Sequence, residues 1–126
     1  MPDDYEPLDY DSMGGVGDYL RLQQLYDETE QLIDELREHE YTATEHESRY
    51  RMLVSTKTAQ ERLMKTPVTV ISDLVRGEEP IATEHMLWKK AEADAKATQH
   101  LIFLHKDRIE MMVELIKHEW YRPSNA

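Results

Sequence analysis

The chain of 126 residues has no cysteine. That excludes a disulfide framework and any thiolate metal site, and it suits a reducing compartment. Glycine is scarce at four residues and phenylalanine occurs once, which speaks against a sheet-rich fold and against an enzyme site built from loops. No apolar run approaches the roughly 20 residues a membrane span needs. Met1-Pro2-Asp3-Asp4 offers neither the basic region nor the apolar stretch of a secretory signal. The expectation is a soluble cytoplasmic protein. Basic residues are scarce in one region only. Residues 1–48 hold fifteen acids against Arg21 and Arg37, while the rest of the chain is close to neutral, giving a net charge of −11. An acidic third disfavours direct binding to nucleic acid, because phosphates are neutralised by Lys and Arg. It favours basic partners, including the nucleic-acid channels of other proteins.

What the chain does contain is helical periodicity. Leu22, Leu25, Thr29, Leu32, Leu36, His39, Ala43, His46, Tyr50, Leu53, Lys57, Gln60 and Met64 recur in alternating steps of three and four, with no Gly or Pro between them. A second seam runs through Trp88, Ala91, Ala95, Thr98, Ile102, His105, Ile109, Met112 and Ile116. Such heptad spacing brings one face of a helix against another helix. Asp18 is placed to cap a first helix from Tyr19 to Lys65. Thr66-Pro67 ends that helix and can open another, with Thr66 as cap and Pro67 in the first helical position. Val68, Ile71, Leu74 and Val75 then predict a short amphipathic helix over 67–76, with Gly77 as its left-handed terminus. The β-branched run Val68-Thr69-Val70-Ile71 leaves a strand as the alternative. Gly77 to Pro80 reads as a turn, and Thr83 as the cap of a last helix ending near Tyr121. The expected fold is all-α, an elongated antiparallel helical hairpin resembling a coiled coil, with a short connecting helix at 67–76. Residues 1–18 read as an acidic flexible tail and 19–126 as one helical-hairpin domain.

The second half of the last helix is apolar on several faces. Leu101, Phe103, Leu104, Met111, Leu115 and Trp120 exceed what one neighbouring helix covers. This excess predicts a homodimer, the alternative being a monomer in which the short helix folds over the strip.

If Lys65 and Thr83 mark the ends of the hairpin, facing residues have indices adding to about 148. His105 then falls opposite Ala43, between His39 and His46. Such a layer can fix register, bind a divalent metal, or loosen on protonation. Position 43 is alanine, so the H-E-x-x-H zinc motif is absent after His39-Glu40. No phosphate-binding glycine loop and no nucleophile motif occurs. No catalytic residue, metal or cofactor is expected, and the chain reads as a non-enzyme.

The acids supply the candidate binding residues. Asp27, Glu30, Asp34, Glu38 and Glu45 lie off the first seam, on its solvated back. Spaced carboxylates on a helix can resemble a phosphate backbone to a basic groove, or can serve solvation alone. Asp3, Asp4, Tyr5, Asp9 and Tyr10 mix acids with aromatics, a composition found in segments that order on a partner.

From Tyr50 to Arg122 the chain resembles small helical accessory proteins of temperate phages and prophages of Gram-positive bacteria. The stretches that carry the resemblance are Tyr50-Arg51-Met52-Leu53, Lys65 through Gly77, the spaced Ala95, Gln99, Ile102, Lys106, Ile109 and Ile116, and Glu119-Trp120. The resemblance implies a role in recombination, single-strand binding or defence evasion inside a bacterial host cell. It carries over no catalytic residue. The expectation is a phage-type protein that binds a nucleic-acid-handling protein through its acidic third. The alternatives are an inhibitor of a host defence nuclease, in the manner of an anti-CRISPR protein, and a structural coiled-coil assembly factor.

Overall fold

A computed structural model describes residues 16–121, with side chains through Glu119. These residues form three α-helices, α1 (Val16–Leu63), α2 (Val68–Gly77) and α3 (Glu79–Tyr121). The fold is all-α, a helical hairpin whose two long arms are joined by a short helix. The strand alternative for Val68–Ile71 is eliminated: these residues are helical, and Ile71 and Val75 are buried while Asp73, which would share their face in a strand, is exposed.

The first seam points inward as its spacing predicts. Leu25 and Ala43 are buried, and Leu22, Thr29, Leu32, Leu36, His39, His46, Tyr50, Leu53 and Lys57 are half-buried. Along the second seam Ala91 and Thr98 are buried and the remaining positions half-buried. The α1 helix begins at Val16, so Asp18 lies within its first turn rather than capping it. It runs unbroken through Thr42–Thr44, where the Thr44 hydroxyl donates to Glu40 O at 3.0 Å.

Two termini differ from expectation. At the end of α1, Thr66 N–H donates to Glu61 O and Lys65 N–H to Arg62 O, both at 3.0 Å. This is the Schellman pattern, and Lys65 occupies its left-handed position with φ 60°. The Thr66 hydroxyl donates to Glu61 Oε1 at 2.7 Å instead of capping α2, whose N-cap is Pro67. At the other end of α2, Gly77 is helical and the chain leaves through extended Glu78. Glu78 N–H donates to Val75 O (3.3 Å), and its carbonyl accepts from Ala82 N–H (2.9 Å). One residue therefore ends α2 and starts α3. Pro80 falls in the first turn of α3, where its missing N–H is no loss, and Thr83 lies inside the helix.

The register is corrected with them. Glu28 meets His105, His46 meets Glu84, and Lys57 meets Glu78. These pairings lie about fifteen positions below the index sum of 148 expected from Lys65 and Thr83. The cause is α2, which runs back beside the last turns of α1, so that α3 starts level with Lys57 rather than at the tip. Gln60 and Met64, beyond that start, are exposed.

The described residues divide into two compact units, one comprising 16–34 with 99–121 and the other Glu35–Thr98. The second has a three-helix core. Ile71 and Val75 of α2 and Ile81 of α3 are buried together, with Tyr50, Leu53 and Val54 of α1 packed against them. In the first unit Leu25 is the buried apolar side chain of α1.

Candidate interaction surfaces

The carboxylates singled out from the sequence lie on the solvent side of α1. In the first unit Asp27, Glu30 and Asp34 are exposed; in the second Glu38 is exposed and Glu45 half-buried. Asp27 accepts a hydrogen bond from the Gln23 amide at 3.2 Å. Among the described residues Glu30, Glu38 and Glu45 have no ion-pair partner. The first half of α3 differs locally and chemically. There Lys89 pairs with Glu92 at 3.3 Å and Lys90 with Asp94 at 3.0 Å, each one helical turn apart. In α1 from Val16 to Glu45 the acids have only Arg21 and Arg37 as basic company. Asp3, Asp4, Tyr5, Asp9 and Tyr10 lie outside the described residues.

The apolar candidates on α3 are open to solvent. Leu101 is 46% exposed, Phe103 53%, Leu104 51%, Met111 72% and Leu115 45%. The side chain of Trp120 lies outside the described set. The α2 helix makes its core with Tyr50, Leu53, Val54 and Ile81. Met111 and Leu115 line an open depression on α3, with Asp107, Glu110 and Glu114 at its rim.

The expected histidine layer resolves into separate pairs. His46 Nδ1 lies 2.7 Å from Glu84 Oε1, both side chains largely buried. His105 Nε2 lies 3.1 Å from Glu28 Oε1, and its Nδ1 lies 3.1 Å from Leu101 O. Each pair joins α1 to α3 within its own unit. Among the described residues no group of three His, Cys, Asp or Glu side chains is arranged to hold a metal ion.

Spacing alone did not reveal two other clusters. Tyr50, His85 and Trp88 bring their rings within 5.1 to 5.7 Å of one another, and Lys89 Nζ sits 4.2 Å from the Trp88 ring centre. The sequence signal was Tyr50 and Trp88 in the two seams, but the partners depend on register. The second cluster closes the tip of α1. Lys57 Nζ lies 2.9 Å from Glu78 and 3.2 Å from Glu61, while Glu61 also accepts the Thr66 hydroxyl. That hydroxyl, then the Lys57 ammonium, holds the Glu61 carboxyl below its ordinary range; hydrogen bonds to Glu78 and then Glu61 hold Lys57 above its own. This cluster ties three segments of backbone together and leaves no free functional group, so it is structural.

Among the described residues no helix is long and apolar enough to cross a membrane. No protein-family model, curated protein or solved structure matches the chain.

Proposed function

We propose that this chain is a non-enzymatic interaction protein that engages a basic partner from nucleic-acid handling through the carboxylates of α1. The observation that carries the reading is the acidic run of α1, where Arg21 and Arg37 are the only Lys or Arg between Val16 and Glu45 and where Asp27, Glu30, Glu38 and Glu45 have no ion pair among the described residues. Carboxylates without local cations keep their field available to a partner. The likeness of Tyr50–Arg122 to phage accessory proteins supports the setting, a bacterial host whose nucleic-acid machinery offers basic grooves. The cell compartment is part of the same proposal.

The test is capture of partners from a bacterial lysate on the immobilised full chain, at about 50 mM and about 500 mM salt. A basic nucleic-acid-binding protein should be retained at low salt and released at high salt. A variant with Asp27→Asn, Glu30→Gln, Asp34→Asn, Glu38→Gln and Glu45→Gln should lose it while unfolding at the wild-type temperature or above. Partners held equally by the neutral variant would overturn the proposal. Competition by added DNA or RNA would identify the occupied surface as a nucleic-acid channel of the partner.

A further inference from the structure

The apolar residues left open on α3 are themselves periodic. Leu101, Leu104, Arg108, Met111, Leu115 and His118 follow one another in steps of three and four. They form a second heptad seam beside the first, which runs through Ile102, His105, Ile109, Met112 and Ile116. The first seam is half-buried, whereas Leu101, Leu104, Met111 and Leu115 are 45 to 72% exposed. Single exposed leucines are ordinary on a protein surface, but four large apolar residues in heptad register mark a helix built for a further neighbour.

Charge identifies the neighbour. Arg108 sits in the middle of this seam and has no hydrogen bond or ion pair among the described residues; neither have Asp107 and Glu110. These carboxylates are one and two positions from Arg108, and residues so spaced on a helix do not face each other. They cannot satisfy Arg108 within the chain, but they can do so in a second chain. The open depression on α3 places Asp107, Glu110 and Glu114 around Met111 and Leu115. On the other side, Arg108 lies with Met111 in a smaller recess that also includes Arg21 and Leu25. A surface with a free guanidinium beside a carboxylate-rimmed apolar hollow is complementary to itself under a two-fold rotation. An acidic segment is the wrong occupant for a hollow with three carboxylates at its rim. That argues against residues 1–15, which carry five acids and no Lys or Arg.

We propose that the Leu101–His118 face of α3 pairs antiparallel with the same face of a second copy of this chain. In an antiparallel seam the alternate layers interlock, so facing indices add to about 219. Leu104 then meets Leu115 of the second copy, Arg108 lies over Met111 of the second copy, and Leu101 meets His118 of the second copy. Each arrangement occurs twice. The guanidinium of one chain reaches the rim carboxylates Asp107 and Glu114 of the other. Residues 16–34 and 99–119 of each copy then supply two of four packed helices. Phe103 lies off this seam and is not part of it. The proposal concerns a different face from the carboxylates of α1 and does not rest on the binding role given to them.

The test uses the full chain at about 50 µM in sedimentation equilibrium. A mass twice the chain's 14.9 kDa is expected. Leu104→Glu with Leu115→Glu should give a monomer with wild-type helical circular dichroism. Should that variant fail to fold, charge reversal keeps the test decisive. Arg108→Glu should weaken the dimer at least tenfold, and adding Glu114→Arg to the same chain should restore most of it. Register is read by cross-linking, since introduced thiols are the only ones in a chain without cysteine. A mixture of Leu104→Cys and Leu115→Cys chains should form a 104–115 disulfide under mild oxidation, whereas Leu104→Cys alone should not cross-link. A monomeric wild type would overturn the proposal and assign the face to another occupant, residues 1–15 included. A dimer indifferent to the Leu104→Glu, Leu115→Glu pair, or one that cross-links 104 to 104, would overturn it equally.

Discussion

Lys65 shows how one position can carry a fold at a local cost. The Schellman turn that ends α1 needs a residue at φ 60°, and the chain places a lysine there, although a side chain in the left-handed region costs about 1–2 kcal/mol. The Lys65 side chain is exposed and makes no hydrogen bond or ion pair among the described residues, so nothing is lost with it. Lys65→Gly should therefore stabilise the protein by about 0.5–1 kcal/mol after the added freedom of the unfolded glycine is discounted, measured by urea unfolding. An unchanged midpoint would mean that the turn carries no strain. One turn earlier, Glu61 ties the same corner. Its carboxyl titrates below its ordinary value, so its contribution is complete above about pH 4.5 and is lost as the pH falls through the lower folded value. Lys57 behaves oppositely, with its contribution complete below about pH 10 and lost as the pH rises past its raised value. The difference in melting temperature between the wild type and Glu61→Gln should thus be flat from about pH 5 to pH 9 and shrink toward zero below about pH 4. A difference that persists undiminished at about pH 3 would remove Glu61 from the corner's stabilisation.

At the scale of elements, α2 is the piece that decides the hairpin. Its apolar residues are not equivalent. Ile71 and Val75 are buried with Ile81, which is 1% exposed, while Val68, Val70 and Leu74 face outward. Ile81→Ala removes a fully enclosed side chain and should cost about 3 kcal/mol, whereas Val70→Ala should change stability by less than about 0.5 kcal/mol. Equal effects in chemical denaturation would contradict the packing of α2. Much of this element was legible. The spacing of Val68, Ile71 and Val75 indicates the helix, and Thr66-Pro67 indicates where it starts. The way it joins α3 was not. Gly77-Glu78-Glu79-Pro80 carries every local sign of a turn, yet a proline in the first helical turn is equally permitted, and only the packing of Ile81 against Ile71 decides between them. Once Glu78 is the whole connection, α2 must lie back along α1, and the facing positions of the long helices move by about fifteen residues. That displacement is why the seams could be read from the sequence while the pairs His46–Glu84 and His105–Glu28 could not.

At the scale of the whole molecule, the sequence separates surfaces by chemistry. The carboxylates of α1 were legible as charge because Arg21 and Arg37 are the only Lys or Arg between Val16 and Glu45. The exposed face of α3 was legible as an excess of apolar residues. Its organisation as a second seam, with Arg108 inside it, becomes evident once Leu101, Leu104, Met111 and Leu115 are seen to be open together. The two His–Glu pairs have one more consequence. A heptad seam repeats every seven residues, so its three-and-four spacing by itself does not exclude a slide of one heptad. Slid one way, His105 would exchange Glu28 for Glu35 and lose nothing, but His46 would face Ala91 and Glu84 would face Leu53. Slid the other way, His105 would meet Arg21. Each pair vetoes a misalignment that the spacing of the seam would accept, so the helices carry a frame check spread over two places, and an error that passes one is caught by the other.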